Sequence, residues 1–212
     1  MSAANRENCV VPNPTGPFPA AFLDKDGTLM EDIPYNSDPQ KFLFSPGVVE
    51  GLGLLSRAGF RLVIISNQSG VARGLFPREA LGPMEDRLRQ MFASEGLMLD
   101  GVYWCPHHPD GGDPEWGIDC QCRKPAPGML QRAARDLNID LAASWMIGDR
   151  DSDIGAARNS GCHGALLSGK TGPVNGMSPE ILAPTFLDIA LGIVAQTKNP
   201  SFRPMKKRAP NG

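Results

Sequence analysis

The sequence predicts an α/β fold, in which helices cover both faces of a doubly wound parallel sheet. Short apolar runs that end in polar residues alternate with segments of helical periodicity, which is typical of such sheets. The chain has 212 residues, of which 41% are hydrophobic, enough for one substantial core. We expect one domain at 19–197, between a flexible arm at 1–18 and a flexible tail at 198–212.

The first half of the chain supplies two predicted strands separated by a helix. PAAFLD (19–24) and FRLVIIS (60–66) are apolar runs of strand length. Between them, 45–59 is a predicted helix, with Ser45 as its N-cap and Pro46 at its first helical position. A longer helix is predicted at 77–96, because a stripe repeats there at helical spacing and indicates a core face. The stripe comprises Leu81, Met84, Leu88, Met91 and Glu95, with Phe92 beside it.

The second half continues the alternation. A short strand is predicted at 102–104, a helix at 127–139 that begins at Pro127, and a strand at 144–149. The last predicted elements are a short helix, 154–159, and a strand, 164–167. Strands that alternate with helices favour parallel pairing throughout.

Polar side chains follow three of these strands at their carboxyl ends, namely Asp24, Ser66 and Asp149. Functional groups gather at this edge of an open parallel sheet. Unpaired buried charge is costly, so the acidic residues indicate a cation, chemistry on an anion, or both. A calcium loop of the EF-hand type is disfavoured, since counting from Asp24 puts Leu29 at the sixth position, where the loop needs Gly. A purely structural acidic turn is the other alternative.

The favoured chemistry is phosphoryl transfer through an aspartyl-phosphate. One carboxylate attacks phosphorus, a second protonates the leaving oxygen and then activates water, and Mg²⁺ offsets the repulsion between the anions. Four ordered motifs, DKDGT (24–28), SNQSG (66–70), RKP (123–125) and GDRDSD (148–153), resemble the haloacid dehalogenase superfamily of phosphatases. The resemblance runs from about Phe22 to Leu167.

This resemblance implies a role for each matching side chain. Asp24 would be the nucleophile and Asp26 the general acid and base. Both would contact Mg²⁺, Asp26 through its backbone carbonyl, and Asp149 would complete the protein ligands. Asp153 would support the metal from outside its ligand set. The residues implied to bind the phosphoryl oxygens are Ser66 and Lys124.

A second metal is predicted in the Gly- and Pro-rich connection 105–122, which is too long to be idle in a compact domain. Three thiolates and one imidazole make a complete tetrahedral shell, which indicates structural zinc. His108 competes with His107 as a ligand, and the spacing leaves that choice open. A Cys120–Cys122 disulfide and metal-free thiols are the disfavoured alternatives. The predicted ligands are Cys105, His107, Cys120 and Cys122.

The gaps between motifs are too short for a folded lid domain, so the site should be capless and open. CPHHP followed by CxCRKP is similar to the heptose-1,7-bisphosphate 7-phosphatases and to the histidinol-phosphate phosphatases. That resemblance implies a set of residues around the substrate, among which Arg123 would recognise it. The set is Asp32, Ile33, Pro34, Tyr35, Ser66, Asn67, Gln68, Ser69, Arg123 and Lys124.

We therefore expect a Mg²⁺-dependent phosphatase that removes the 7-phosphate of a heptose 1,7-bisphosphate. Histidinol phosphate, another small phosphate ester, and a zinc-stabilised binding module without catalysis are the alternatives. The net charge of −2 disfavours nucleic acid as a partner, and the longest apolar stretch, 181–197, is too interrupted to span a membrane. No export signal is recognisable, so we expect a cytoplasmic protein, and we expect a monomer.

Overall fold

The computed structural model describes residues 16–168 and 178–197. Within these ranges the chain forms one parallel sheet of six strands with helices on both faces. The predicted tail and most of the predicted arm lie outside the described residues. Phe18, which the sequence assigned to the arm, pairs with Ile139 and packs against Arg61.

The elements alternate along the chain as predicted, with small shifts at their ends. The strands are β1 (Ala20–Leu23), β2 (Arg61–Asn67), β3 (Gly101–Cys105), β4 (Trp145–Gly148), β5 (His163–Leu167) and β6 (Ile181–Ala183). The helices are α1 (Val48–Arg57), α2 (Leu81–Ser94), α3 (Gly128–Asp136), α4 (Asp151–Ser160) and α5 (Phe186–Thr197). Single 3-10 turns lie at Pro39–Lys41, Arg78–Ala80 and Leu141–Ala143.

The strand order is β3-β2-β1-β4-β5-β6, and every adjacent pair is parallel. Alternate residues of each strand therefore face opposite layers. Leu23, Ile64 and Ile147 pack with the layer of α1, α2 and α5. Phe22 and Ile65 pack with the layer of α3 and α4. Such packing on both faces explains why the strands read as continuous apolar runs.

Two elements were missed by the sequence analysis. The stretch 181–197 was considered only as a membrane span and rejected, whereas the structure divides it into β6 and α5 at Pro184. A three-residue edge strand gives no periodic signal. The apolar face of α5 packs beside α1 through Phe186 and Ile189. No helix among the described residues has the length and apolar character to cross a bilayer.

Several predicted helix starts were wrong by a few residues. Helix α1 begins at Val48 after a left-handed Gly47, so Ser45 is not its N-cap. Helix α3 begins at Gly128 rather than Pro127. Helix α4 begins at Asp151 rather than 154, because the Asp153 carboxylate accepts a hydrogen bond from the backbone N–H of Arg150 and caps the first turn.

The site lies where the chain reverses its direction of travel across the sheet. Strands are added from β1 to β3 on one side and from β4 to β6 on the other. Between β1 and β4, the loops that follow the strands separate and leave a crevice at the carboxyl edge, where ligands of such sheets bind. Asp24 follows β1 and Asp149 follows β4, so both acidic motifs flank this crevice.

Candidate active site

The segment after β1 folds into a tight turn that places its carboxylates at the sheet edge. The backbone N–H of Asp24 donates to the carbonyl of Ile147 in β4, and that of Gly27 donates to Met30. Gly27 has φ +87°, and a Cβ there would lie 2.2 Å from an Asp149 carboxylate oxygen. Only glycine fits this close approach between the two acidic motifs.

Three buried carboxylates, those of Asp24, Asp149 and Asp153, form the acidic cluster. Their oxygens lie within 4.8 Å of one another. Burial has the largest effect on the pKa of the Asp24 carboxyl and raises it. Lys124 lowers that pKa, and the neighbouring Asp153 raises it further. Carboxylate oxygens are the ligands that hard divalent cations prefer, so the cluster fits such a cation. A bound cation would in turn favour the ionised form of each carboxyl group.

Lys124 reaches the same cluster from the loop before α3. Its Nζ lies 2.5 Å from Asp24 Oδ1 and 2.6 Å from Asp153 Oδ1, and it also donates to the carbonyl of Ile65 at 2.9 Å. Burial alone lowers the pKa of Lys124, but Asp153 and Asp24 outweigh it and raise that pKa. The ammonium group is therefore charged and fixed in direct contact with the Asp24 carboxylate.

Asn67, at the end of β2, fixes the backbone of Lys124. Its amide donates to the Lys124 carbonyl and accepts from the Lys124 N–H, both at 3.1 Å. The Lys124–Pro125 peptide bond is cis. Asn67 belongs to the predicted substrate set, and this pair of hydrogen bonds also gives it a positioning contact that the sequence analysis missed.

Asp26 lies beside the cluster and is held by two donors. Gln68 Nε2 donates to one of its oxygens at 3.0 Å and to Ser66 Oγ at 2.9 Å. The Lys25 ammonium group pairs with the other oxygen. Lys25 is fully buried and stands 4.6 Å from the centre of the Phe42 ring. Lys25 was not predicted, although a lysine between two carboxylates in a buried turn was the available signal.

The cleft above these groups has a volume of about 330 Å³. Every residue of the predicted substrate set lines it, and so do Arg150 and Ser152. Arg150 was not predicted, and its guanidinium donates to Asp32 at 2.6 Å, which ties the 32–35 loop to the end of β4. Ile33 and Tyr35 expose apolar surface in this loop, and Tyr35 has a left-handed φ of +54°.

The second predicted metal cluster is assembled at the ends of the 105–122 connection. Cys122 Sγ lies 3.2 Å from the sulfurs of both Cys105 and Cys120, and 3.2 Å from His107 Nδ1. These sulfur separations exceed a disulfide bond by more than 1 Å, so the cysteines are free. All four ligand atoms lie within 4.8 Å, which fits a tetrahedral ion.

His107, and not His108, belongs to this cluster. The His108 ring turns away, with Nδ1 at 3.1 Å from the backbone N–H of Asp110 and Nε2 at 3.1 Å from Arg73. Arg123 Nη1 donates to the His107 carbonyl at 3.2 Å. The connection therefore holds the side chain of Arg123, the residue that the resemblance assigned to substrate recognition.

Outside this region, a buried histidine packs between two strands. His163 lies at the start of β5 and is 7% exposed. Its ring stacks on Trp145 at 4.7 Å between centroids and lies 3.7 Å from the Glu180 carboxylate. The ring is part of the core that connects β4 with β5.

Comparison with known proteins agrees with this geometry. A family model described as HAD-hydrolase-like matches residues 121–189. The chain is 46% identical over 143 residues to the D-glycero-beta-D-manno-heptose-1,7-bisphosphate 7-phosphatase of Yersinia pestis, which covers 68% of this chain and 76% of the relative. It is 41% identical over 170 residues to the protein of the same name from Vibrio cholerae, which covers 80% of this chain and 91% of the relative.

Solved structures show the same fold. A HAD-like phosphatase from Mesorhizobium loti has a TM-score of 0.76 and 33% identity, with 88% of this chain and 90% of that chain covered. The D,D-heptose 1,7-bisphosphate phosphatase of B. bronchiseptica, solved with magnesium and phosphate, has a TM-score of 0.69 and 31% identity, with 84% and 99% covered. The chain therefore belongs to the D-glycero-beta-D-manno-heptose-1,7-bisphosphate 7-phosphatase family of HAD-like hydrolases.

Proposed function

We propose that this protein removes the 7-phosphate from D-glycero-D-manno-heptose 1,7-bisphosphate through an aspartyl-phosphate on Asp24. The observation that carries the proposal is the buried contact of Asp24 with Lys124 at the crevice between β1 and β4. The chain that makes this contact is 41–46% identical to the two relatives of that name. Histidinol phosphate is not favoured, because none of the relatives compared above carries that name.

Asp24 is the proposed nucleophile. Its backbone N–H donates to the Ile147 carbonyl in β4, which holds the residue at the crevice, and Lys124 donates to one of its carboxylate oxygens. As phosphorus is attacked, the Lys124 ammonium group can pass from the carboxylate to a phosphoryl oxygen, where negative charge increases. The hydroxyl of Ser66 and backbone N–H groups after β1 and β2 lie at the same crevice and are proposed to hold the remaining oxygens.

Asp26 is the proposed general acid and base. It donates a proton to the leaving sugar oxygen and later takes one from the water that hydrolyses the aspartyl-phosphate. Lys25 and Gln68 fix the orientation of its carboxylate. They are positioning residues, since their contacts are with Asp26 rather than with the reacting phosphate.

Asp24, Asp149 and the backbone carbonyl of Asp26 are the proposed ligands of Mg²⁺, with Asp153 supporting them. When bound, Mg²⁺ would supply positive charge that offsets the repulsion between the carboxylate and the phosphate dianion. Asp153 fits a supporting role, because its oxygens already bind Lys124 and the backbone of Arg150.

Zinc is the proposed occupant of the four-ligand cluster of Cys105, His107, Cys120 and Cys122. With three thiolates and one imidazole the shell has no open position, so the metal would be structural. Its proposed effect on function is indirect: it would fix the His107 carbonyl to which Arg123 donates.

The test is a substrate panel with purified protein and Mg²⁺. The panel contains both anomers of heptose 1,7-bisphosphate, histidinol phosphate and several sugar monophosphates, and ³¹P NMR identifies which phosphate is lost. We expect kcat/KM for one heptose bisphosphate anomer to exceed the others by at least about tenfold, with loss of the 7-phosphate. Preference for histidinol phosphate, or loss of the 1-phosphate, would contradict the proposal. The cytoplasmic location and the monomeric state stay predictions.

A further inference from the structure

The backbone turn that carries Lys124 is held from two sides of the molecule. The turn spans 123–126 and is closed by the N–H of Ala126, which donates to the Arg123 carbonyl at 2.7 Å. In the proposed function, the Lys124 ammonium group leaves the Asp24 carboxylate for a phosphoryl oxygen. That side-chain contact therefore changes during the reaction, whereas the contacts of the turn can stay the same. The place of the ammonium group in the transition state then depends on how firmly the turn is fixed.

One side of the turn is fixed by β2 and the other by α4. From β2, the Asn67 amide forms its two hydrogen bonds with the backbone of Lys124. From the last turn of α4, the Asn159 Nδ2 donates to the carbonyl of Pro125 at 2.9 Å. Asn159 thus contacts the peptide group that directly follows the lysine.

Close packing supports this second contact. Gly155 lies one helical turn before Asn159, so both residues face the same side of α4. A Cβ on Gly155 would lie 2.6 Å from the Cβ of Pro125, which is too close for any side chain. The missing side chain lets the turn approach the helix, and the approach brings the Pro125 carbonyl within reach of the Asn159 amide.

Helix α4 also contacts the ammonium group of the same lysine. Asp153, in its first turn, lies 2.6 Å from Lys124 Nζ. Asp153 and Asn159 are six residues apart, which is roughly 9 Å along a helix axis. Because the helix keeps this spacing constant, it holds the backbone and the ammonium group of Lys124 in a fixed relation to each other.

The alternative is an ordinary surface hydrogen bond. Asn159 and Pro125 are both exposed, so water can replace the amide at the carbonyl, and the contact contributes little to stability. An ordinary surface contact would leave turnover unchanged when it is removed. A contact that sets the place of Lys124 would lower turnover and leave stability nearly unchanged. The two readings therefore differ in a measurable way.

We propose that Asn159 is a positioning residue, which acts through the Pro125 carbonyl to hold the Lys124 ammonium group at the reacting phosphate. The proposal rests on the function proposed above, in which Lys124 stabilises the transition state. Because every phosphate ester presents the same reacting group to Lys124, the effect should not depend on the rest of the substrate. In this respect Asn159 differs from Arg123, whose expected effect depends on the second anion.

The first test is steady-state kinetics on heptose 1,7-bisphosphate and on p-nitrophenyl phosphate. In Asn159→Ala we expect kcat to fall about three- to tenfold on both substrates, with KM within about twofold of the wild type. Asn159→Gln keeps an amide donor and should recover part of the loss. Arg158→Ala truncates the exposed neighbour on α4 and should match the wild type on both substrates.

The second test uses orthovanadate, which resembles the transition state because it can take up a fifth ligand. In Asn159→Ala, inhibition by vanadate should weaken about three- to tenfold, and inhibition by inorganic phosphate should weaken less than about twofold. In a Lys124→Met background, adding Asn159→Ala should change vanadate inhibition by less than about twofold. Such a lack of additivity is expected if Asn159 acts through Lys124.

The outcomes separate the two proposals. If the wild type hydrolyses neither ester, the proposed function is wrong and this inference is overturned with it. If it hydrolyses only p-nitrophenyl phosphate, the heptose assignment is wrong, and the aryl ester still tests Asn159. The positioning role is wrong if kcat of Asn159→Ala stays within about twofold of the wild type, or if KM alone rises. It is also wrong if vanadate inhibition weakens equally with and without Lys124.

Discussion

The two candidate metal sites are built in opposite ways. The acidic cluster stands on strand ends, with Asp24 after β1 and Asp149 after β4, so the hydrogen bonds of the sheet position it before any ion binds. The cysteine cluster takes Cys105 from the end of β3 and its other three ligands from the connection that follows, 106–122, which has no helix or strand. The sheet positions the ligands of the first site. At the second site, a metal bound by the four ligands would fix the conformation of the connection. Damage to the first should therefore affect chemistry, and damage to the second should affect recognition.

The largest effect is expected at the acidic cluster. Asp24→Asn should lower kcat by about 10⁴-fold or more, since an amide is a poor nucleophile, while the fold and substrate binding persist. Phosphate release measures the first effect, and calorimetric titration with substrate measures the second. Asp86→Asn, on the exposed face of α2, is the matched control. Substantial turnover by Asp24→Asn, free of contaminating phosphatase, would rule out the covalent scheme.

The next prediction tests whether Lys25, which is buried at the sheet edge, affects the catalytic step and not substrate binding. Lys25→Met keeps the packing against Phe42 but removes the cation from Asp26, so we expect kcat to fall about ten- to a hundredfold with KM nearly unchanged. Steady-state kinetics separates the two parameters. Lys41→Met, which removes an exposed charge, should be silent. A rise in KM alone would place Lys25 in substrate binding instead.

Arg123 directly follows the connection that carries the cysteine cluster and donates to the His107 carbonyl, so its substitution tests the second site. In Arg123→Ala we expect kcat/KM for the bisphosphate to fall about ten- to a hundredfold, mostly through KM, because a charge-assisted hydrogen bond contributes about 1.5–3 kcal/mol. A small aryl phosphate, which has no second anion, should barely respond. Equal losses on both substrates would show that Arg123 serves the reacting phosphate.

Loss of a proposed zinc ligand should raise KM for the bisphosphate as Arg123→Ala does, but by a smaller factor. Protein purified without added metal should contain about one zinc per chain by elemental analysis, and Cys120→Ser should lower that content. Because the loop then loses its hold on Arg123, KM should rise about tenfold before the main sheet unfolds. Circular dichroism should detect little change at 25 °C. Unfolding of the sheet together with metal loss would mean that the loop is part of the folding core.

The smallest effect is expected for the exposed pair that crosses the cleft. Arg150→Met breaks its contact with Asp32, but both side chains are well exposed, so the unfolding free energy should fall by less than about 1 kcal/mol. Urea denaturation measures this value. A loss of several kcal/mol would show that the 32–35 loop is a structural part of the domain rather than a substrate loop.

Much of the candidate site followed from the sequence because its signals are local. Asp24, Ser66 and Asp149 each end an apolar run, and parallel strands bring such ends to one edge whatever their order. The cysteine and histidine spacing likewise predicted a four-ligand cluster that the structure assembles. Strand β6, helix α5 and the early start of α4 were not predictable in this way, because a three-residue strand and a cap formed by Asp153 show no periodicity.

Contacts between residues distant in sequence were decided by the tertiary structure alone. The sequence proposed His107 and left His108 as a rival, and only the path of the connection turns His107 toward the cysteines and His108 toward Arg73. Asn67 meets the backbone of Lys124 across 57 residues, and Arg150 meets Asp32 across 118. Periodicity and motif spacing report which face or strand end a residue occupies. They carry no information on which side chain of another segment will stand opposite it, because that depends on how the layers pack.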